Sequence, residues 1–189
     1  MSIAALDIRQ LTMISLVPDG EPCLLDRLLR LPGLGDAEQI VVRGQTAAQR
    51  TALAARIDAA VHDADRAVML VAEGAACAAA AWWARLSPRC YTAGVSGALM
   101  VAPVTQRSGS MCFASPNIAL PFPSVTIGAS DECQRLGSEW GSRMIDGPLA
   151  IDGFAPSNRL RTLIARFTAA IVERDVGSAE RLMQAIGDR

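Results

Sequence analysis

The stretch that decides the fold is residues 67–86, AVMLVAEGAACAAAAWWARL. Residues 67–72 are apolar throughout, which is typical of a strand covered on both faces of a sheet. Glu73 and Gly74 interrupt this run, and residues 75–86 are rich in alanine, the strongest helix former. The stretch therefore predicts a buried strand, a tight turn at Glu73-Gly74, and a helix slim enough to lie close against the sheet.

The same alternation of strand and helix continues on both sides of this stretch. Further strands are predicted over 11–17, 39–42, 97–102, 124–129 and 143–145, and further helices over 23–31, 46–61, 159–174 and 178–186. Strands that alternate with helices of this length favour a parallel sheet with helices on both faces. We therefore predict an α/β fold in a single domain over 1–189. It would have a mostly parallel sheet of about six strands, with residues 175–189 as a C-terminal helical extension.

Composition and charge exclude several classes of protein. Of the 189 residues 51% are hydrophobic and 20% are charged, so a packed core is expected and disorder is not. The net charge is −1 and no basic stripe is present, so neither nucleic acid nor an anionic membrane is an expected partner. Asp7 and Arg9 interrupt the first residues, which therefore do not read as a secretory signal, and a cytoplasmic location is expected.

The inventory of metal ligands is poor. The chain has five cysteines, none in a C-x-x-C pair, and one histidine, so reduced and mostly buried thiols are expected rather than a zinc site. Four loop carboxylates would suit a divalent cation but match no established motif; they are Asp19, Glu21, Glu73 and Asp131. We predict no metal and no cofactor.

Five short segments carry a family resemblance. They are LVAEGAAC at 70–77, GALMVAP at 97–103, LPFPS at 120–124, Trp140-Gly141, and Gly147-Pro148 followed by Gly153-Phe154. In this order and spacing they resemble the small α/β-hydrolases similar to retinoblastoma-binding protein nine and bacterial YdeN. The resemblance covers about residues 66–156. It implies an α/β-hydrolase fold whose nucleophile lies on the strand–turn–helix at 67–86.

Residue by residue, the resemblance implies a degenerate catalytic triad. Gly74 stands at the position of the nucleophilic serine. Glu73 precedes it, at a position where the family usually has histidine. Pro148 stands at the catalytic histidine, and the acid position falls on Asp131 or, in a shifted register, on Cys133. Glycine cannot attack a substrate and proline cannot transfer a proton. We therefore predict a pseudoenzyme that acts by binding a protein or a small ligand.

The ligand cleft is predicted at the turn. Backbone amides at Ala75 and Ala76 begin the following helix, where an anion or a carbonyl oxygen can bind. The residues of the predicted cleft are Asp19, Gly20, Glu73, Gly74 and Ala75. A homo-oligomer through the C-terminal helices is a further expectation.

Two catalytic alternatives stay open. One is an enzyme of this superfamily in which Glu73 or Asp131 acts as a base. The other is a serine esterase with its nucleophile elsewhere, at Ser96, Ser110 or Ser130. His62 is expected to serve neither, because the strand at 67–72 separates it from the turn by roughly 20 Å at about 3.3 Å per residue. A catalytic base must lie about 3 Å from its nucleophile.

Overall fold

The structure is a computed structural model that describes residues 11–19, 38–104, 113–114, 117–145, 166–167 and 169–170. The chain divides into two compact units, one over 9–150 and one made of residues 1–8 and 151–189. In the second unit the four described residues are helical. The helices predicted over 23–31 and 178–186, most of the helix predicted over 159–174, and the extension at 175–189 lie outside the described residues. The single domain over 1–189 stays a prediction.

Six strands form one parallel sheet. Their bounds are β1 Thr12–Pro18, β2 Glu38–Val42, β3 Val68–Glu73, β4 Val95–Val101, β5 Ser124–Ile127 and β6 Arg143–Ile145. The order across the sheet is β2-β1-β3-β4-β5-β6, and every neighbouring pair is parallel. The predicted parallel sheet of about six strands is confirmed, with strand ends displaced by one or two residues.

The described helices are α1 Ala47–Asp63, α2 Ala76–Leu86, α3 Arg89–Thr92 and α4 Asp131–Glu139. Helices α1, α2 and α4 share one core cluster with alternate strand residues such as Ile14, Leu70 and Met100. These three helices therefore pack on the same face of the sheet. Strand residues that point to the other face, among them Val71 and Leu99, are buried as well. Both faces are covered at the central strands, which explains why residues 68–72 and 98–101 are uninterrupted apolar runs.

Helix α4 was not predicted from the sequence. Ser130 caps it, accepting a hydrogen bond on its Oγ from the amide of Cys133 at 3.1 Å. Asp131 and Glu132 follow in the first turn, where negative charge is favoured. The signal was present as Ser-Asp-Glu ahead of a buried Leu136, but the helix is short and its middle is polar. Because Ser130 belongs to this helix, β5 ends at Ile127 and not at 129.

The two adjacent tryptophans of α2 face different surroundings. Trp83 is fully buried and donates its indole N–H to Asp58 of α1 at 2.7 Å. Trp82 is half-buried and packs on Phe113, with ring centroids 5.3 Å apart. The Phe113 ring also lies against Gly44, where a Cβ atom would stand only 2.3 Å from Cζ. The connection between β4 and β5 is thus anchored on α2 and on the residues that follow β2.

No helix in the described part of the chain combines the length and apolar character that a bilayer span requires.

Candidate functional site

The strand order places a crevice between β1 and β3. From β1 the chain goes to β2 on one side of the sheet, whereas from β3 it goes to β4 on the other side. In open parallel sheets, ligands bind outside the carboxyl ends of the strands at such a reversal. Asp19 follows β1 and Gly74 follows β3, so the topology alone brings two residues of the predicted cleft to one edge.

Gly74 forms a sharp elbow at this edge. Its φ is +57°, a left-handed conformation that glycine adopts without steric cost. Its N–H donates to the carbonyl of Val101 at 2.9 Å, and its own carbonyl accepts from the amides of Cys77 and Val104, each at 3.3 Å. A Cβ atom built on Gly74 would meet no atom of the described residues within 4 Å. No described residue therefore occupies the space into which a nucleophile would project.

The helix after the elbow offers two amide donors. Helix α2 begins at Ala76, and Ala75 caps it without any side-chain hydrogen bond. Among the described residues, no acceptor binds the amides of Ala75 and Ala76. The first amides of a helix lack intrahelical partners and carry its positive dipole end. A carbonyl oxygen placed beside Gly74 would meet these donors.

Cys77 lies one turn into α2 and is fully buried, as predicted for a thiol that fills core space. Burial raises the pKa of its thiol well above the ordinary value, and the nearby charge of Glu73 adds to the rise. The sulfur faces the carbonyls of Ala72 and Val101 at 3.3 and 3.6 Å. Cys77 is therefore a neutral thiol at physiological pH and does not act as a nucleophile.

Neither of the two residues considered for the catalytic acid, Asp131 and Cys133, is a buried carboxylate. Asp131 is exposed and is the first residue of α4. Cys133 is buried in the same helix, packed so closely on Gly128 that a Cβ there would stand 2.6 Å from its sulfur. Pro148, the position of the catalytic histidine, lies outside the described residues, as does Gly20 of the cleft.

Asp19 is engaged by an arginine. The Arg43 Nε donates to Asp19 Oδ2 at 2.9 Å, and both side chains are more than half exposed. This pairing neutralises one of the carboxylates proposed for a cation. Within the described ranges, no three histidine, cysteine or acidic side chains converge as metal ligands. Glu73, the last residue of β3, is half-buried beside the elbow.

A family model described as serine hydrolase matches residues 33–150, more than half of the chain. The chain belongs to the serine hydrolase family. No curated protein matches its sequence.

Three solved structures show the fold of this serine hydrolase family member. A YdeN-like hydrolase of Pectobacterium atrosepticum is 18% identical over 86% of this chain and 93% of its own, with a TM-score of 0.62. An esterase of the fungus Rhizomucor miehei is 9% identical over 88% and 74%, with a TM-score of 0.59. The carboxylesterase EstE1, from a metagenomic library, is 14% identical over 85% and 79%, with a TM-score of 0.52. The predicted α/β-hydrolase-like fold is thereby confirmed.

This family member has few histidine or lysine side chains that could take a proton from a serine. Its single histidine, His62, is exposed in the last turn of α1. The chain from α1 leads into the amino end of β3, at the edge opposite the elbow, as predicted. The sequence contains no lysine, so all 18 basic residues are arginine. Neither a Ser-His-Asp nor a Ser-Lys arrangement can therefore be built at the elbow from this chain. The absence of lysine is a signal that the sequence alone carries.

Two of the three alternative serines lie away from the elbow. Ser96 is the second residue of β4, near the amino end of that strand and away from the crevice. Ser130 uses its hydroxyl to cap α4. Ser110 lies outside the described residues.

Proposed function

We propose that this member of the serine hydrolase family is a pseudoenzyme that binds a carbonyl-bearing ligand at the elbow without cleaving it. The observation that carries the proposal is Gly74. Its left-handed turn, its tertiary hydrogen bonds and the open space beside it are all present, but it has no side chain with which to attack.

The elbow can bind a ligand, but it lacks the triad groups that would transfer a proton. In a serine triad, losing either the serine or the histidine costs about 10⁶-fold in turnover. This chain offers neither group at the elbow, because Gly74 replaces the serine and the only histidine is His62. The amides of Ala75 and Ala76 still favour a carbonyl oxygen or an anion. The same donors that would stabilise a transition state then hold an intact ligand.

A direct test uses ¹⁵N-labelled protein titrated with ethyl butyrate and, separately, with butyrate. An ester is chosen because similar structures include esterases. We expect the amide signals of Ala75 and Ala76 to shift with one or both compounds, while no butyrate forms from the ester over a day. Release of butyrate would contradict the proposal, and so would unchanged Ala75 and Ala76 signals with both probes.

Two matched variants locate the binding. Gly74→Asn fills the open space with a side chain that tolerates the left-handed conformation, so ligand-induced shifts should vanish. Gly141 has a similar φ of +64° but lies at the end of α4, beside Ala119. Gly141→Asn should therefore leave the shifts in place. Loss in both variants, or in neither, would place the binding somewhere other than the elbow.

A second candidate function is hydrolysis or proton abstraction with Glu73 as the base. The half-buried position of this carboxylate beside the elbow favours it over Asp131, which is exposed. If the ester is consumed in the titration above, Glu73→Gln should abolish the turnover. Activity that survives this substitution would exclude Glu73 as the base.

A cytoplasmic location is proposed on the state of the cysteines. Cys77 and Cys90 are free thiols, and Cys77 is buried. Free thiols are typical of reducing compartments. A homo-oligomer through residues 175–189 remains a proposal that rests on the sequence alone.

A further inference from the structure

The turn that follows β4 contains an unusual backbone conformation. Ala102 has a φ of +43°, the one positive value among the described residues other than glycine. The Cβ atom disfavours this region for any L-residue, and such strain persists only where the surrounding structure holds it. The amide of Ala102 donates to the carbonyl of Ile127 at 2.7 Å, which fixes the turn to β5.

This turn brings the chain back onto the elbow. On one side of Ala102, the carbonyl of Val101 accepts the Gly74 N–H at 2.9 Å. On the other side, two residues further, the Val104 N–H donates to the Gly74 carbonyl at 3.3 Å. Both backbone groups of Gly74 are therefore tied to the two arms of a single turn, whose bend is at Ala102.

We infer that Ala102 is a positioning residue for the elbow. Its left-handed turn holds Gly74 in the left-handed conformation and keeps the amides of Ala75 and Ala76 directed at the open space. This inference rests on the proposed role of the elbow as the ligand site. Ala102 does not itself touch the ligand; it acts through the hydrogen bonds of Val101 and Val104 to Gly74.

The test introduces a thiol as a reporter at the elbow, with Gly74→Cys. Iodoacetamide is the probe, and the alkylation rate at position 74 is followed by peptide mass spectrometry from pH 5.5 to 9.5. Backbone amides at a helix N-terminus lower a thiol pKa below its ordinary value of about 8.5. The pH midpoint of alkylation therefore reports whether the amides converge on position 74, which a general loss of stability would not change.

Substitutions in the turn are compared in this background. Ala102→Val places a β-branched side chain in a region it strongly disfavours, so the midpoint should rise toward that of a free thiol. Where both midpoints lie above pH 7, a rise of one pH unit lowers the thiolate fraction at pH 7 about tenfold. Ala102→Gly keeps the left-handed turn without steric cost and should leave the midpoint unchanged. Ala93→Val, at an exposed alanine with a φ of −65°, is the matched control and should also leave it unchanged.

Thermal unfolding establishes that each variant is folded. If Ala102→Val does not fold, Val104→Pro removes the amide through which the turn reaches the Gly74 carbonyl and should raise the midpoint in the same way. An unchanged midpoint in a folded Ala102→Val or Val104→Pro variant would overturn the inference, and so would an equal rise in Ala102→Gly. An ordinary thiol midpoint in Gly74→Cys itself would instead overturn the proposed ligand site, and with it the inference.

Discussion

Two glycines with left-handed backbones, Gly74 and Gly141, differ in their surroundings. Their φ angles are +57° and +64°. A Cβ at Gly74 would meet none of the described residues within 4 Å, whereas a Cβ at Gly141 would lie 3.2 Å from the Cβ of Ala119. On the proposed function, the elbow keeps room for the side chain of a nucleophile, while Gly141 has no such room. This difference separates a lost functional group from a glycine required by packing.

Alanine substitutions measure this difference. Gly74→Ala should lower the free energy of unfolding by about 1 kcal/mol, the cost of a left-handed non-glycine residue. Gly141→Ala should cost more, by about a further 1 kcal/mol, because a close contact with a short side chain must also be relieved. Urea unfolding of both variants provides the values. An equal or larger loss at Gly74 would mean that the space beside the elbow is filled.

At the level of secondary-structure elements, an aromatic residue of the connection between β4 and β5 packs on two other segments. Phe113 packs between Gly44, after β2, and Trp82 of α2. The ring occupies the space of a Cβ at Gly44, so these positions are coupled although 69 residues separate them. Such a contact joins two segments that border the crevice edge of the sheet.

A double-mutant cycle tests this coupling. Gly44→Ala should lower the free energy of unfolding by about 1–3 kcal/mol, because the added methyl group overlaps the Phe113 ring. In a Phe113→Ala background the same substitution should cost far less, since the overlapping ring is absent. Additive effects in urea unfolding would show that Phe113 does not lie against Gly44.

Some elements were predictable and others were not, for identifiable reasons. Strands β3 and β4 were predictable because both faces of the sheet are covered there, so that residues 68–72 and 98–101 are apolar. Helix α4 was not predicted because it is short and exposes polar residues to solvent between Cys133 and Leu136. Within the candidate site, the position of Gly74 at the elbow was predictable because residues 70–77 resemble the elbow segment of the family. The strained Ala102 and the Arg43–Asp19 pair depend on contacts between distant segments, which no local pattern encodes.

At the scale of the whole molecule, the buried thiol of Cys77 links stability to pH. Its pKa in the folded state is raised by burial, so at high pH the unfolded chain loses this proton more easily than the folded chain does. The stabilisation is fully present below the unfolded pKa of about 8.5 and declines as pH rises above it, by up to about 1.4 kcal/mol per pH unit. Urea unfolding from pH 7 to 10 under reducing conditions should show this decline.

Substitution at Cys77 isolates its share of that pH dependence. Cys77→Ala should reduce the slope above pH 8.5 by the contribution of one proton, although it lowers stability at every pH. Cys90→Ala removes an exposed thiol and should leave the slope as it is. An undiminished slope in the Cys77→Ala variant would contradict the assignment of the decline to this residue.

The proposed loss of catalysis is a property of the whole molecule. The protein belongs to a family of serine hydrolases, yet Gly74 occupies the elbow and the chain has one histidine and no lysine. The most direct measurement exposes the purified protein to a fluorophosphonate probe, read by intact mass, beside a short-chain ester assay. We predict no adduct and no turnover. A stoichiometric adduct would show that an activated serine exists elsewhere in the chain and would contradict the assignment of the elbow as an empty nucleophile position.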